Sequence, residues 1–230
     1  MNLDSRFFRG VDFENGPFKA LMPEFYPKVY QEYIREEATL LKEKIEGAER
    51  ILEAGVGIGR LIPELAPLVR EFVGVDNTDR MLVEANRVAE RYENAKIVSA
   101  DLESLGEVFP HGHFEHSLCV WNTLGNVNDE VRVLDALREV TKKSIIVTTY
   151  LKGTIEQRKE WYKTVGIPVQ EIDTQNEVFY TESGLKSKSY APEEMERIAK
   201  QSGLKVFDSK KISEVMLWSE LALFESGNNS

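Results

Sequence analysis

Apolar residues in this chain are bunched rather than scattered. From about residue 28 to residue 150, short apolar runs alternate with stretches whose apolar positions recur every three or four residues. The runs RILEA (50–54), EFVGV (71–75), AKIVSA (95–100), FEHSLCVW (114–121) and SIIVTT (144–149) predict five strands. Residues 60–68, 78–92 and 129–140 read as the helices between them, with Met81, Ala85 and Val88 sharing one face. Thr78 is placed as an N-cap, and Pro63 falls in the first turn of its helix, where a missing N–H does no harm. Ahead of the first strand, Val29, Tyr33, Leu40, Leu41 and Ile45 lie on or near one stripe of a helix over 28–46, with Gly47 as its stop. This alternation predicts a doubly wound α/β fold around a mostly parallel sheet.

After residue 150 the rhythm breaks. Thr154 and Gln157 have the spacing of a capping box opening a charged helix that carries Trp161 and Tyr162 and ends near Gly166 and Pro168. Residues 169–173, 177–181 and 186–190 read as short strands. Pro192 opens a helix that stops at Gly203, and 205–212 and 215–224 close the chain as two strands. At the other end, residues 1–30 are rich in aromatics, among them Phe7, Phe8, Phe13, Phe18, Phe25, Tyr26 and Tyr30, broken up by Gly16-Pro17, Pro23 and Pro27. The 230 residues suit one domain: an N-terminal helical segment (1–47), a core (48–150), an insertion (151–190) and a closing unit (191–226). The terminal GNNS is expected to be disordered.

Composition narrows the functional classes. Hydrophobic residues at 42% with charged residues at 30% describe an ordinary globular chain, and no apolar run is long enough to span a bilayer. MNLDSRFFRG lacks a signal-peptide core, and the single Cys119 fits a reducing compartment, so a cytoplasmic location is expected without a membrane partner. The 39 acidic against 29 basic residues, net −10, argue against a nucleic-acid partner, whose phosphates call for a basic face.

The chemistry concentrates in residues 51–76, ILEAGVGIGRLIPELAPLVREFVGVD. Gly55, Gly57 and Gly59 directly follow a strand, where glycine allows positive φ and lets a ligand approach bare backbone. Asp76, closing the next strand, is placed to accept both hydroxyls of a ribose. The third glycine comes one residue too early for the GxGxxG of dinucleotide oxidoreductases. The pattern E-x-G-x-G-x-G, the following GVD and a further acid at Asp101 resemble the class I S-adenosylmethionine-dependent methyltransferases.

That resemblance covers residues 50–149 well and the closing segment loosely. It implies a Rossmann-like sheet whose final strand is antiparallel beside strand five, with an N-terminal lid and a cap insertion after strand five. It implies S-adenosylmethionine as cofactor and S-adenosylhomocysteine as product. Glu53 would steady the glycine turn and meet the cofactor's amino group, while Gly55, Gly57 and Gly59 line its methionine part. Asn77 and Met81 would flank the adenine, which Asp101 and the Leu102 N–H would read; Trp121 and Asn122 would border the transferred methyl. Strand four ends in WNTLGN rather than the N-P-P-Y type of run that resembles enzymes acting on planar amide or base nitrogens. A small-molecule amine, acid or alcohol acceptor is therefore expected. An RNA or protein side-chain methyltransferase and a non-catalytic nucleoside-binding domain stay open, and nothing specifies the oligomeric state.

Tyr26, Tyr30, Trp161 and Tyr162 are the expected lining of the acceptor pocket, and Asn122 and Tyr30 the candidate catalytic residues. His111, His113 and His116 read as a solvated turn rather than a metal site, and Cys119, flanked by Leu118 and Val120, reads as core.

Overall fold

The computed structural model describes residues 23–223; the aromatic-rich residues 1–22 and the GNNS tail lie outside that range. Helix α1 (Lys28–Ile45) leads into β1 (Arg50–Ala54), α2 (Ile62–Leu65), β2 (Glu71–Asp76), α3 (Asp79–Ala89) and β3 (Ala95–Ser99). Then come α4 (Leu105–Val108), β4 (Phe114–Cys119), α5 (Thr123–Asn126), α6 (Glu130–Val140) and β5 (Thr141–Leu151). Helix α7 (Ile155–Val165), β6 (Val169–Asp173), β7 (Val178–Thr181) and β8 (Lys186–Tyr190) form the insertion. Helix α8 (Pro192–Gln201), β9 (Leu204–Ile212) and β10 (Met216–Leu223) close the chain.

Strands β3-β2-β1-β4-β5 lie side by side and parallel. β10 runs antiparallel along β5 from Tyr150 to Ser144, and β9 pairs outside it. β8 joins β5 in parallel at Tyr150 and Leu151, past the last β4 pair at Cys119 and Val147. The β6-β7-β8 meander thus extends the sheet over the end of β4.

Alternation along each strand sends neighbours to opposite faces. Ile51, Phe72, Leu118, Ile146 and Trp218 join one apolar cluster with Tyr33, Leu41 and Ile45 of α1. Leu52, Val73, Cys119, Val147 and Leu217 join the other, with residues of α6 and α8. Both faces are covered, which is why the central strands are apolar throughout.

Several local expectations are corrected. The helix expected over 60–68 breaks into α2 and a 3₁₀ turn at Ala66–Leu68, where Pro67 withholds an N–H. Thr78 precedes α3 but its side chain makes no cap hydrogen bond; its backbone N–H donates to Asp76 Oδ1. The Thr154–Gln157 capping box does not form; the Thr154 hydroxyl donates to Leu151 O at 2.6 Å. β5 is longer than expected at both ends: Thr141 pairs with Phe114 of β4, and β10 and β8 extend the pairing through Tyr150 and Leu151. β4 stops at Cys119 because Trp121 and Asn122 turn left-handed, with φ of 54° and 60°. The buried stripe of α1 is Tyr30, Tyr33, Glu37, Leu41 and Ile45, with Val29 and Leu40 at its margin.

Ile146→Ala removes a fully buried β5 side chain and is expected to cost about 2–5 kcal/mol of stability. Val83→Ala, on the half-exposed surface of α3, should stay within about 0.5 kcal/mol. Urea denaturation of both variants checks this; equal effects would contradict the layering.

Candidate functional site

Because β1, β2, β3 and β4 are parallel, the segments that follow them emerge on one rim. The glycine turn is tied to β2 through Gly55 N–H and Val56 N–H, both donating to Val75 O at 2.8 and 2.9 Å. Gly57 N–H donates to Asp76 Oδ2 and Thr78 N–H to Asp76 Oδ1, each at 3.0 Å. One carboxylate thus holds two loops while each oxygen keeps a lone pair for a further donor. The three glycines have φ of 79°, 54° and 81°. At Gly57 a Cβ would point into open space, so this backbone stays bare on its outer side. At Gly55 a Cβ would lie 2.6 Å from the Thr123 methyl, where α5 packs onto the turn.

Glu53 is the buried acid of this rim. Alternation from Ile51 puts it on the α1 side of the sheet, at 3% exposure, and its Oε2 has no hydrogen-bond partner among the described residues. Burial raises its pKa from the ordinary 4.5 to about 8; Arg60 counters this, while Glu37 and Asp76 add to it. The Arg60 guanidinium is already engaged, since its Nη2 donates to Glu37 Oε2 at 2.6 Å.

Glu37 was not singled out from the sequence, yet it is fully buried and central. Its Oε1 accepts from the Tyr33 hydroxyl and from Thr148 Oγ1, the latter at 2.8 Å. Helix α1, the glycine turn and β5 meet on this one carboxylate. Burial disfavours the charge on Arg60, and the Glu37 carboxylate outweighs that, so its pKa stays raised. A signal existed: Glu37 interrupts an apolar stripe four residues from both Tyr33 and Leu41. Arg60, next after the last glycine, gave no such sign.

Above the β4 end lies a layer of aromatic rings. Trp121 stacks between Tyr26 at 5.3 Å and Tyr33 at 5.2 Å, with interplanar angles of 7° and 20°. Trp161 touches Tyr26, Tyr30, Trp121 and Tyr150 at 5.9–6.3 Å, and Tyr162 at 4.9 Å. The structure therefore brings Tyr26, Tyr30, Trp161 and Tyr162 together from the turn before α1, from α1 and from α7. Arg158, also missed, is fully buried behind them, its guanidinium 4.4 Å from the Tyr150 ring centre and 4.1 Å from that of Phe179.

Asn122 is buried and its amide is committed. Oδ1 accepts Tyr150 N–H at 3.0 Å, and Nδ2 donates to Ser187 Oγ at 3.1 Å and Asn126 Oδ1 at 3.4 Å. It braces β4, β5 and β8, and consecutive left-handed residues Trp121 and Asn122 mark a strained turn held by that brace. Asp101 is exposed and its Oδ1 caps the 3₁₀ turn Leu102–Ser104 through Glu103 N–H at 2.9 Å. Leu102 and Asn77 are half-buried, and Met81 is buried in α3.

His116 lies within β4 and bonds Ser144 Oγ at 2.8 Å, His113 packs on Phe109 and Phe114, and His111 is exposed. Among the described residues, no three or more His, Cys, Asp or Glu side chains gather as a metal site. Burial pushes the Cys119 thiol up to about 12.

Residues 51–144 match the family model described as a methyltransferase domain. That match and the order of the sheet are consistent with a class I S-adenosylmethionine-dependent methyltransferase. A Pyrococcus horikoshii protein, PH0226, is similar at 19% identity and TM-score 0.69, over 94% of this chain and 98% of that one. A Burkholderia thailandensis 1,6-didemethyltoxoflavin-N1-methyltransferase, solved with 1,6-didemethyltoxoflavin and S-adenosylhomocysteine bound, matches at 12% identity and TM-score 0.65, over 85% and 81%. The [4+2]-cyclase SpnF matches at 13% identity and TM-score 0.63, over 82% and 80%. No curated protein sequence matches the chain. Among the described residues, no helix is long and apolar enough to cross a membrane.

The raised Glu53 pKa has a sign that can be tested. A carboxyl whose folded pKa lies above its unfolded value contributes stability that is complete below pH 4.5 and lost as pH rises through about 8. Glu53→Gln removes that dependence. Its melting temperature relative to the wild-type protein should therefore climb between pH 5 and pH 8.5. A difference that stays constant over this range would show Glu53 to be charged in the fold.

Proposed function

We propose that this methyltransferase acts on a planar small molecule held against the aromatic layer at the end of β4. The observation that carries this reading is the stack of Tyr26, Trp121 and Tyr33, edged by Trp161. Flat apolar walls with few polar groups suit a ring-bearing ligand better than a polymer backbone. The net charge of −10 points the same way, away from nucleic acid. The Burkholderia relative, which has a small heterocycle bound, supports the choice.

The residues present fit the cofactor. The bare turn at Gly57, with Gly55 and Gly59 beside it, would admit the methionine part against backbone. The unpartnered Glu53 Oε2 would receive its ammonium, and the spare lone pairs of Asp76 the ribose hydroxyls. Asn77 and Met81 would flank the adenine, with Asp101 and Leu102 at its edge. When bound, S-adenosylmethionine supplies a sulfonium methyl that passes to an acceptor lone pair as its C–S bond breaks.

The protein's part is alignment. Orientation alone can supply several kcal/mol of barrier lowering, so no covalent partner is needed. Asn122 acts as a positioning residue, fixing the Trp121 turn through three elements. Tyr30 stays protonated, because burial holds its pKa far above the ordinary 10, and so serves as a donor rather than a base. Exclusion of water by α1 and α7 would ease loss of a proton from an amine acceptor. In this reading 1–47 is the lid, 48–150 the cofactor core, 151–190 the acceptor cap and 191–226 the closing unit, working in the cytoplasm.

Asp76→Ala should weaken S-adenosylhomocysteine binding roughly thirtyfold or more, since two hydrogen bonds to a charged group are lost. Calorimetric titration measures it, and a change under about threefold would remove Asp76 from the site. For the acceptor, radiolabelled methyl donor incubated with cell extract should put label into the low-molecular-mass fraction. Label in RNA or protein instead would favour a macromolecular substrate. Transfer to nothing, with tight cofactor binding, would favour a binding domain or chemistry of another kind on this fold.

A further inference from the structure

Resting on the small-molecule reading above, we infer that the acceptor carries a carboxylate, and that Arg158, Tyr30 and Trp161 receive it. Arg158 is fully buried, yet its partners are all neutral. Nη1 donates to Glu177 O at 3.0 Å and Ser189 Oγ at 2.5 Å; Nη2 donates to Ser187 O at 2.7 Å and Ser187 Oγ at 3.0 Å. These bonds fix the guanidinium edge-on to β8 between the Tyr150 and Phe179 rings. They account for its position but leave its charge without a counter-ion among the described residues. A buried charge without one is costly, and the ring faces offset only part of that cost.

Three unpartnered donors lie in the same layer. Arg158 Nε, the Tyr30 hydroxyl and Trp161 Nε1 are all buried and without a hydrogen-bond partner among the described residues. Arg158 and Trp161 are three residues apart on α7, so they share a face. Tyr30 packs against Trp161 at 5.9 Å and against Tyr150 at 6.2 Å, and Tyr150 in turn covers the guanidinium. The Arg158 charge also acts on the Tyr30 hydroxyl. Two of the three groups can only donate, and Tyr30 does not ionise in the ordinary range.

A cluster of donors with no acceptor selects an acceptor-rich, negatively charged group. A carboxylate fits better than a phosphate. The Nη edge of the guanidinium is already consumed by β8 and Glu177, so one N–H remains, and the walls are flat. The anchor lies one ring beyond Trp121, which leaves the opposite end of the acceptor at the β4 rim. Admission requires the rings now in contact to part, among them Tyr26, which stacks on Trp121.

The test uses the full-length protein saturated with S-adenosylhomocysteine and paired probes: benzoate against benzamide, and anthranilate against anthranilamide. Calorimetry should find the acid of at least one pair bound about tenfold or more tightly than its amide, as expected for hydrogen bonds to a charged group. Arg158→Lys should shrink that preference. Tyr30→Phe, which deletes an oxygen that bonds to nothing in the fold, should weaken the acid several-fold and the amide distinctly less. No acid preference in either pair, or a preference untouched by Tyr30→Phe and Arg158→Lys, overturns the proposal. Failure of the wild-type protein to bind S-adenosylhomocysteine would instead overturn the functional reading beneath it.

Discussion

A carboxylate buried where three elements meet governs this structure. Glu37 leaves water entirely, and an unpaired ion in that position would cost several kcal/mol. It persists because Arg60, Tyr33 and Thr148 converge on it from the glycine turn, the same helix and β5. The entry angle of α1, the pose of the Arg60 side chain and the covering of the β5 end are therefore one arrangement. Removing any one partner would leave the others desolvated and unmatched.

That arrangement also sets the electrostatics of the rim. Arg60 is spent on Glu37, so Glu53 stands buried with an unpartnered oxygen and a pKa near 8. Perturbed, under-satisfied groups of this kind gather where ligands bind, because a fold without a ligand has no reason to retain them. Arg158, in the ring layer, is a buried cation without an acidic partner among the described residues, set among donors. A cationic cofactor tail would favour the charged form of Glu53, and an anionic acceptor would neutralise Arg158.

The β6-β7-β8 meander shows how an insertion is made part of such a site. β8 adds to β5 beyond the end of β4, and Asn122 bonds both β5 backbone and Ser187. The insertion is thus keyed to the turn that carries Trp121, and α7 brings Arg158 and Trp161 to the rim from the same segment. The geometry of the Trp121 turn and the placement of the insertion are mechanically coupled.

The sequence by itself determined the frame. Period-two and three-to-four-residue spacing located the strands and longer helices to within a few residues, because burial of one face is a local, periodic demand. The glycine turn and Asp76 were legible because backbone at positive φ and a strand-end acid leave a compact signature within about twenty residues. The aromatics Tyr26, Tyr30, Trp161 and Tyr162 were legible as candidates, though not as neighbours. Tertiary structure decided what depended on pairs far apart in the chain. Glu37 with Thr148, Arg158 with Ser187 and Asn122 with Tyr150 have no local pattern, since each is defined by a partner that only folding supplies. The lost capping box at Thr154 is a local matter instead: its hydroxyl donates to Leu151 O, three residues earlier in the chain.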